Sequence, residues 1–275
     1  MTLADSLMAA GGSDAAALGS IPRFVVTNVA EYYFHHEKEY WTLKEFPLPH
    51  PPFDHMWIEY KIPKYTHSKE VPFKSIEVPG HDLHFGAFLI TDGPGRWGLA
   101  GRMYSMVAQG RERGKVLPGR HIDGMRFSIG PDGNIDQIWI PVEQEGKDNH
   151  QVATELYIFH PILMAFSFAN CRNIEVIDVR PPEKLQRARK RRGKSQRHPF
   201  KVINILPFGR VFRSSGRTVV SEDGKIDVVI RRGSYAKYGP KFDHGLLFGK
   251  YEGMFWRPAK MASGEQERTY EVKEP

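Results

Sequence analysis

Asp54, Glu59 and Lys61 form the most chemically suggestive short pattern in the sequence. An acid followed by Glu-x-Lys on a strand is the bare pattern of metal-dependent nucleases. There carboxylates hold a divalent cation against the scissile phosphate while the lysine steadies the attacking water. Residues two apart on a strand share a face, so Glu59 and Lys61 meet that requirement. The step from Asp54 to Glu59 is short for the arrangement, and Glu and Lys alternating with Ile58, Tyr60 and Ile62 also describe an ordinary polar sheet face. His81 and His84 invite a metal site completed by His121 or His150, but their segment reads as a strand, which sends positions three apart to opposite faces. On a helix the adjacent His35 and His36 diverge by about 100°. Cys171 closes an apolar helical stretch and reads as a small core residue, not a nucleophile. No phosphate-cradling loop or dinucleotide fingerprint is present, because Gly93-Pro94-Gly95 joins two strands and no helix follows it. These patterns assign no catalytic residue, no metal ligand set and no cofactor.

Charge gives the stronger signal. Arg180 to Arg197 reads RPPEKLQRARKRRGKSQR, with nine Lys or Arg against the single acid Glu183. The whole chain carries a formal +7, so this strip of +8 leaves −1 for the other 257 residues. Pro181 and Pro182 suit the first turn of a helix, Glu183 stands where the helix dipole favours an anion, and Gly193 is a natural stop after a cationic last turn. The spacing predicts a helix over about Glu183 to Arg192, with Lys184, Arg187 and Arg191 on one face and Leu185 and Ala188 docking against the body. Seven cations crowd between Arg187 and Arg197, and a polyanion relieves their repulsion. The candidate nucleic-acid-binding residues are therefore Lys184, Arg187, Arg189, Lys190, Arg191, Arg192, Lys194 and Arg197. The same string also describes a solvated helix face, a surface for an acidic protein, or a nuclear address.

The elements that must position these residues follow from the pattern. The first twenty residues are rich in Ala, Gly and Ser, contain Gly11-Gly12, and read as a flexible arm. Arg23 to Thr27 reads as a strand, Asn28 to Tyr40 as a capped helix, and Met56 to Ile62 as a strand. His84 to Thr91 and Leu99 to Val107 read as strands around the Gly93-Pro94-Gly95 turn. Met125 to Gly130 and Ile135 to Val142 flank Pro131-Asp132-Gly133-Asn134, a hairpin signal because Asp-Gly supplies the positive φ a tight turn needs. Asn149 opens the longest helical pattern, apolar nearly all round through Ala169 and interrupted by Pro161, which predicts a buried helix on the sheet. Strands are expected again at Ile174 to Val179, Lys201 to Leu206, Lys225 to Ile230 and Met254 to Trp256.

The segment from Ile230 to Trp256 reads IRRGSYAKYGPKFDHGLLFGKYEGMFW. Its Arg-Gly-x-aromatic turn, the Leu-Phe-Gly-Lys at Leu247 to Lys250, and the later Gly253 with its aromatic pair resemble a family of uncharacterised proteins encoded by bacteriophages and mobile elements. The likeness extends to Pro51-Pro52-Phe53 before Met56-Trp57-Ile58-Glu59, and to the stretch from Phe166 to Lys194, covering about half the chain. Where those proteins often carry histidines around the Arg-Gly turn, this chain has Val229 and Ser234. The resemblance implies a phage or prophage setting and nucleic-acid or host-defence business. Read from the residues alone, the segment is a closing hairpin whose glycines permit tight turns. Arg231, Arg232, Lys237 and Lys241 extend the basic strip if the fold brings them near it.

With 275 residues, 40% of them hydrophobic, the chain can bury a sizeable core. One cysteine, no apolar run of membrane-spanning length and an acid-bearing N-terminus predict a soluble protein of the host cytoplasm. The expected fold is α+β, with residues 1–20 as the arm and 21–275 as a single domain. That domain is a mainly antiparallel twisted sheet, with one long buried helix and a short basic helix. The expected function is sequence-tolerant nucleic-acid binding, DNA or RNA, through phosphates, since no base-reading motif is visible. The alternatives are an interaction protein that inhibits an acidic host protein or a nucleic-acid-handling enzyme, and the metal-dependent nuclease.

Overall fold

The computed structural model describes residues 2–11, 15–35, 46–47, 49–62, 81–110, 112–131, 133–139, 149–194, 196–205, 228–231, 234–242, 245–247, 250–257 and 260–263. The protein is mixed α/β, with a large, mostly antiparallel sheet and few helices. Its chain divides into two compact units, Met1–Asn170 with Glu175–Asn204, and Cys171–Ile174 with Ile205–Pro275.

In the first unit, α1 (Leu3–Ala10) and α2 (Ala15–Ser20) precede β1 (Arg23–Val25) and α3 (Thr27–His35). An antiparallel meander follows, made of β2 (His55–Lys61), β3 (His81–Thr91), β4 (Arg96–Val107), β5 (Val116–Ile129) and β6 (Ile135–Trp139). The unit is completed by α4 (Asn149–Ala169), β7 (Glu175–Val179), α5 (Glu183–Arg191) and β8 (Phe200–Asn204). The eight strands lie in the order β6-β5-β4-β3-β2-β1-β8-β7. Only β1 pairs in parallel, with β2 on one side and β8 on the other.

The turn chemistry is where the sequence places it. Gly93 and Gly95 take φ of 97° and 68° between β3 and β4, and Gly133 takes 82° between β5 and β6. β5 starts at Val116, well before the expected Met125, because Pro118, Gly119 and Gly124 mask a strand that irregularities in its register with β4 accommodate. Pro161 stands inside α4, which continues through it where the sequence predicts an interruption. A mid-helix proline forfeits one helical hydrogen bond and strains the preceding turn. Packing of Phe159 on Phe85 and of Phe166 on Trp97 holds the helix on both sides of it.

The N-terminal residues depart from the expected arm. Leu3 and Ala4 are fully buried and cluster with Leu18, Trp57 and Tyr104. Thr2 caps α1 by accepting from the Asp5 amide at 3.1 Å, and Gly11 ends the helix at φ 72°. Two helices thus lie on the sheet face that carries Trp57 and Glu59. The opposite face carries Tyr60, whose hydroxyl donates to the Ile158 carbonyl of α4 at 2.6 Å. Among the described residues no helix is long and apolar enough to cross a membrane.

The second unit pairs β9 (Val228–Arg231) with β12 (Lys260–Ser263), and β10 (Ser234–Tyr238) with β11 (Gly253–Arg257), both antiparallel. Asn173 brackets the backbone of Trp256, donating to its carbonyl at 2.8 Å and accepting from its amide at 2.9 Å.

Candidate nucleic-acid interface

The basic strip begins where β7 ends. Pro182 precedes α5 in an extended conformation and accepts from the Gln186 amide at 3.1 Å. At the other end Gly193 adopts φ 62°, the Gly193 amide donates to Lys190 O at 3.1 Å, and the Lys194 amide donates to Arg189 O at 3.0 Å. This pair of bonds is a Schellman closure, and it reverses the chain toward β8. Gln186 clasps the returning segment, its amide donating to the Arg197 carbonyl and its oxygen accepting from the Arg197 amide.

None of the α5 residues is buried. The expected docking pair is corrected by this geometry, since Ala188 is exposed and Leu185 is 37% exposed. Gln186 and Arg189 are the half-buried positions instead, because a polar clasp rather than an apolar stripe fixes the helix. Lys184, Arg187, Lys190, Arg191, Arg192 and Lys194 are exposed. Arg187 pairs with Glu183 at 2.8 Å, which neutralises the only acid of the strip. Lys184, Lys190, Arg191, Arg192 and Lys194 have no ion-pair partner among the described residues. Lys237 and Lys241 belong to the second unit, where Lys237 lies over the Phe242 ring at 4.8 Å. Arg232 lies outside the described residues.

The Glu-x-Lys pattern has a different use from the one its spacing suggests. Glu59 is 3% exposed and accepts from the amides of Leu3 at 2.6 Å and Ala4 at 2.7 Å and from Trp57 Nε1 at 2.7 Å. Burial pushes its carboxyl above the usual range, against the pull of those three donors and of Arg23. This carboxylate anchors the N-terminus of α1, where the helix dipole and the free amides favour it. Lys61 pairs with Asp82 at 2.9 Å, and Asp54 accepts from the Thr91 hydroxyl at 3.1 Å. Among the described residues no group of three His, Cys, Asp or Glu side chains is placed to hold a metal ion. His81 and His84 do face opposite sides of β3, and the Ser105 hydroxyl lies 3.0 Å from His81 Nδ1. The Cys171 thiol is buried and pushed up to about 12, which suits a packed side chain.

Beside α5 lies a cavity of about 390 Å³ that sequence reasoning misses. Val179, Arg180, Pro181, Pro182 and Leu185 form one side of it, and Arg197 with Phe200 closes the return. The sheet contributes Glu59, Lys61 and His84 to the lining. His84 is 7% exposed, and its Nε2 has no hydrogen-bond partner among the described residues. Burial lowers its pKa to about 4, opposed by Asp82 and reinforced by Lys61, so the ring is neutral at pH 7. Among the described residues the buried Nε of Arg197 also lacks a partner. The lining comes from segments between Thr2 and Phe200, so no local motif announces it. The α1 anchor did leave a signal, since Thr2-Leu3-Ala4-Asp5 is an N-cap pattern ahead of an apolar run.

Compared with known proteins, the sequence matches no family model and no curated protein.

Proposed function

We propose that this protein binds nucleic acid with little sequence preference, through phosphate contacts made by α5 and the turn that follows it. The observation that carries this reading is the solvent-facing set of Lys184, Lys190, Arg191, Arg192 and Lys194, without an ion-pair partner among the described residues, on a helix that buries no residue and on the turn that closes it. A helix with no apolar face contributes little to the core, so its composition is free to serve contact. Each neutralised phosphate releases condensed counterions, and that release drives association. Arg187 is exposed on the same helix, Arg189 is half-buried there, and Arg197 is held against it by Gln186. The resemblance of the C-terminal pattern to phage-encoded proteins favours a bacteriophage or prophage setting, with action in the host cytoplasm.

Fluorescence anisotropy of duplex DNA, single-stranded DNA and RNA at several salt concentrations tests the proposal. Engagement of about five to seven phosphates gives a log-log salt slope of about −5 to −6 on duplex. Replacing Lys190, Arg191, Arg192 and Lys194 with Gln makes that slope shallower by about 3 to 4. Absence of binding at low salt, or equal binding by the variant, overturns the proposal and directs the search to an acidic protein partner.

A further inference from the structure

We infer that the cavity beside α5 takes a single nucleotide unit, its base against the apolar wall and its phosphate at Arg180 and Arg197. This rests on the nucleic-acid reading and deepens it. Three observations meet at the cavity. The first is size: about 390 Å³ lies within the roughly 300–1,000 Å³ of pockets that hold small ligands. The second is chemistry. Pro181, Leu185 and Phe200 offer flat apolar surface, while Arg180 is exposed and acts on Asp178 without a close ion pair, and Arg197 holds a buried Nε without an acceptor among the described residues. A buried guanidinium donor left unmatched is costly, and an anionic oxygen satisfies it.

The third observation is His84, almost wholly buried on the lining with Nε2 unmatched. A neutral imidazole both donates and accepts, which suits the polar edge of a base. The acids of the lining do not repel a phosphate strongly. Asp5 faces Arg23 at 3.4 Å, and Glu59 is engaged by α1 and Trp57. Pro181 and Pro182 lead directly into α5, so a strand tracking along the exposed cations reaches the cavity mouth. An unpaired end or an extruded nucleotide then enters, as unstacked bases do on aromatic and apolar surfaces elsewhere.

Calorimetric titration of the full-length protein with adenosine, cytidine, guanosine and uridine monophosphates tests this, with adenosine and inorganic phosphate as separate arms. The expected result is saturable binding of at least one monophosphate, at least tenfold tighter than adenosine or phosphate alone. Leu185→Trp fills the cavity from a position already 37% exposed and removes no charge. It should weaken the monophosphate at least tenfold while duplex affinity stays within twofold. Arg180→Ala, at an exposed side chain, should weaken the monophosphate and leave adenosine unchanged, which keeps the test intact if the tryptophan variant misfolds. Duplex binding with the expected salt slope, but no monophosphate binding at about 5 mM ligand, overturns this inference and leaves the proposed function standing. Equal monophosphate affinity in wild type and a folded Leu185→Trp also overturns it. Monophosphate binding lost in Leu185→Trp, in a protein that ignores duplex, supports the cavity and removes the α5 reading instead.

Discussion

A buried histidine and a half-buried one carry a stability consequence that can be measured one residue at a time. His84 and His160 both have pKa values lowered by burial to about 4, and His160 Nδ1 lies 2.8 Å from the Tyr33 hydroxyl within an aromatic cluster. A histidine whose folded pKa lies below its unfolded value of about 6.5 binds its proton more readily in the unfolded chain. Stability from its neutral burial is therefore complete above pH 6.5, declines as the pH falls toward 4, and changes no further below that. Each such group contributes on the order of 3 kcal/mol across the window. Glu59 acts in the opposite sense, because its raised pKa favours protonation in the folded state. The difference between two proteins isolates one histidine from this background. His160→Phe should make the dependence of unfolding free energy on pH, between about 4.5 and 6, shallower by about 1.4 kcal/mol per pH unit. Denaturant melts across that range check it, and an unchanged slope would show that His160 is already protonated in the fold. At this scale the sequence was partly legible. The opposite facing of His81 and His84 follows from strand geometry, whereas His84 lines a cavity together with Thr2 and with Asp5 of α1, an element the composition disguises.

One side chain, Glu59, accepts from the first two amides of that element. An eight-residue helix is too short to persist alone in water, so α1 owes its existence to its docking. Glu59→Ala leaves the Leu3 and Ala4 amides and Trp57 Nε1 without an acceptor in a dry site, at about 1–3 kcal/mol for each unmatched group. We expect a loss of about 3–5 kcal/mol in stability and release of α1. Hydrogen exchange should show loss of protection at the α1 amides, and retained protection would overturn the anchoring role. Glu59→Gln should fall between, since one oxygen still accepts. The elements read correctly from sequence are those whose signal is local. Glycine turns at Gly93, Gly95 and Gly133 frame β3 to β6, and the Pro-Pro start with the Gly193 stop bounds α5. Those misread depend on distant partners. The N-terminal helices need Trp57 and Glu59, β5 needs β4 to accommodate its irregularities, and α4 crosses Pro161 because Phe85 and Trp97 pack on either side. The inward face of α5 was misassigned for the same reason, because Gln186 clasps a backbone eleven residues on.

Across the whole molecule, fold and charge are carried by different residues. The strip from Arg180 to Arg197 was visible in the sequence because charge adds along the chain, whereas the cavity beside it was not, because its lining is assembled from segments far apart. If the strip is a contact surface and not part of the scaffold, removing its exposed cations should abolish binding without disturbing the fold. Changing Lys190, Arg191, Arg192 and Lys194 to Gln moves the formal net charge from +7 to +3. All four side chains are exposed, and Gln has a helix propensity close to that of Lys and Arg. Surface substitutions of this kind usually stay within about 0.5 kcal/mol of neutral. Part of the lost favourable interaction with the helix C-terminus is offset by relief of repulsion among neighbouring cations. The unfolding free energy of the variant should therefore match the wild type within about 1 kcal/mol, measured at the same ionic strength because exposed charges are screened by salt. A cooperative loss of more than about 2 kcal/mol would mean that the cations pair with the body of the protein, beyond what their exposure implies. The strip would then be scaffold, and any accompanying loss of nucleic-acid binding would report unfolding instead of a missing phosphate contact.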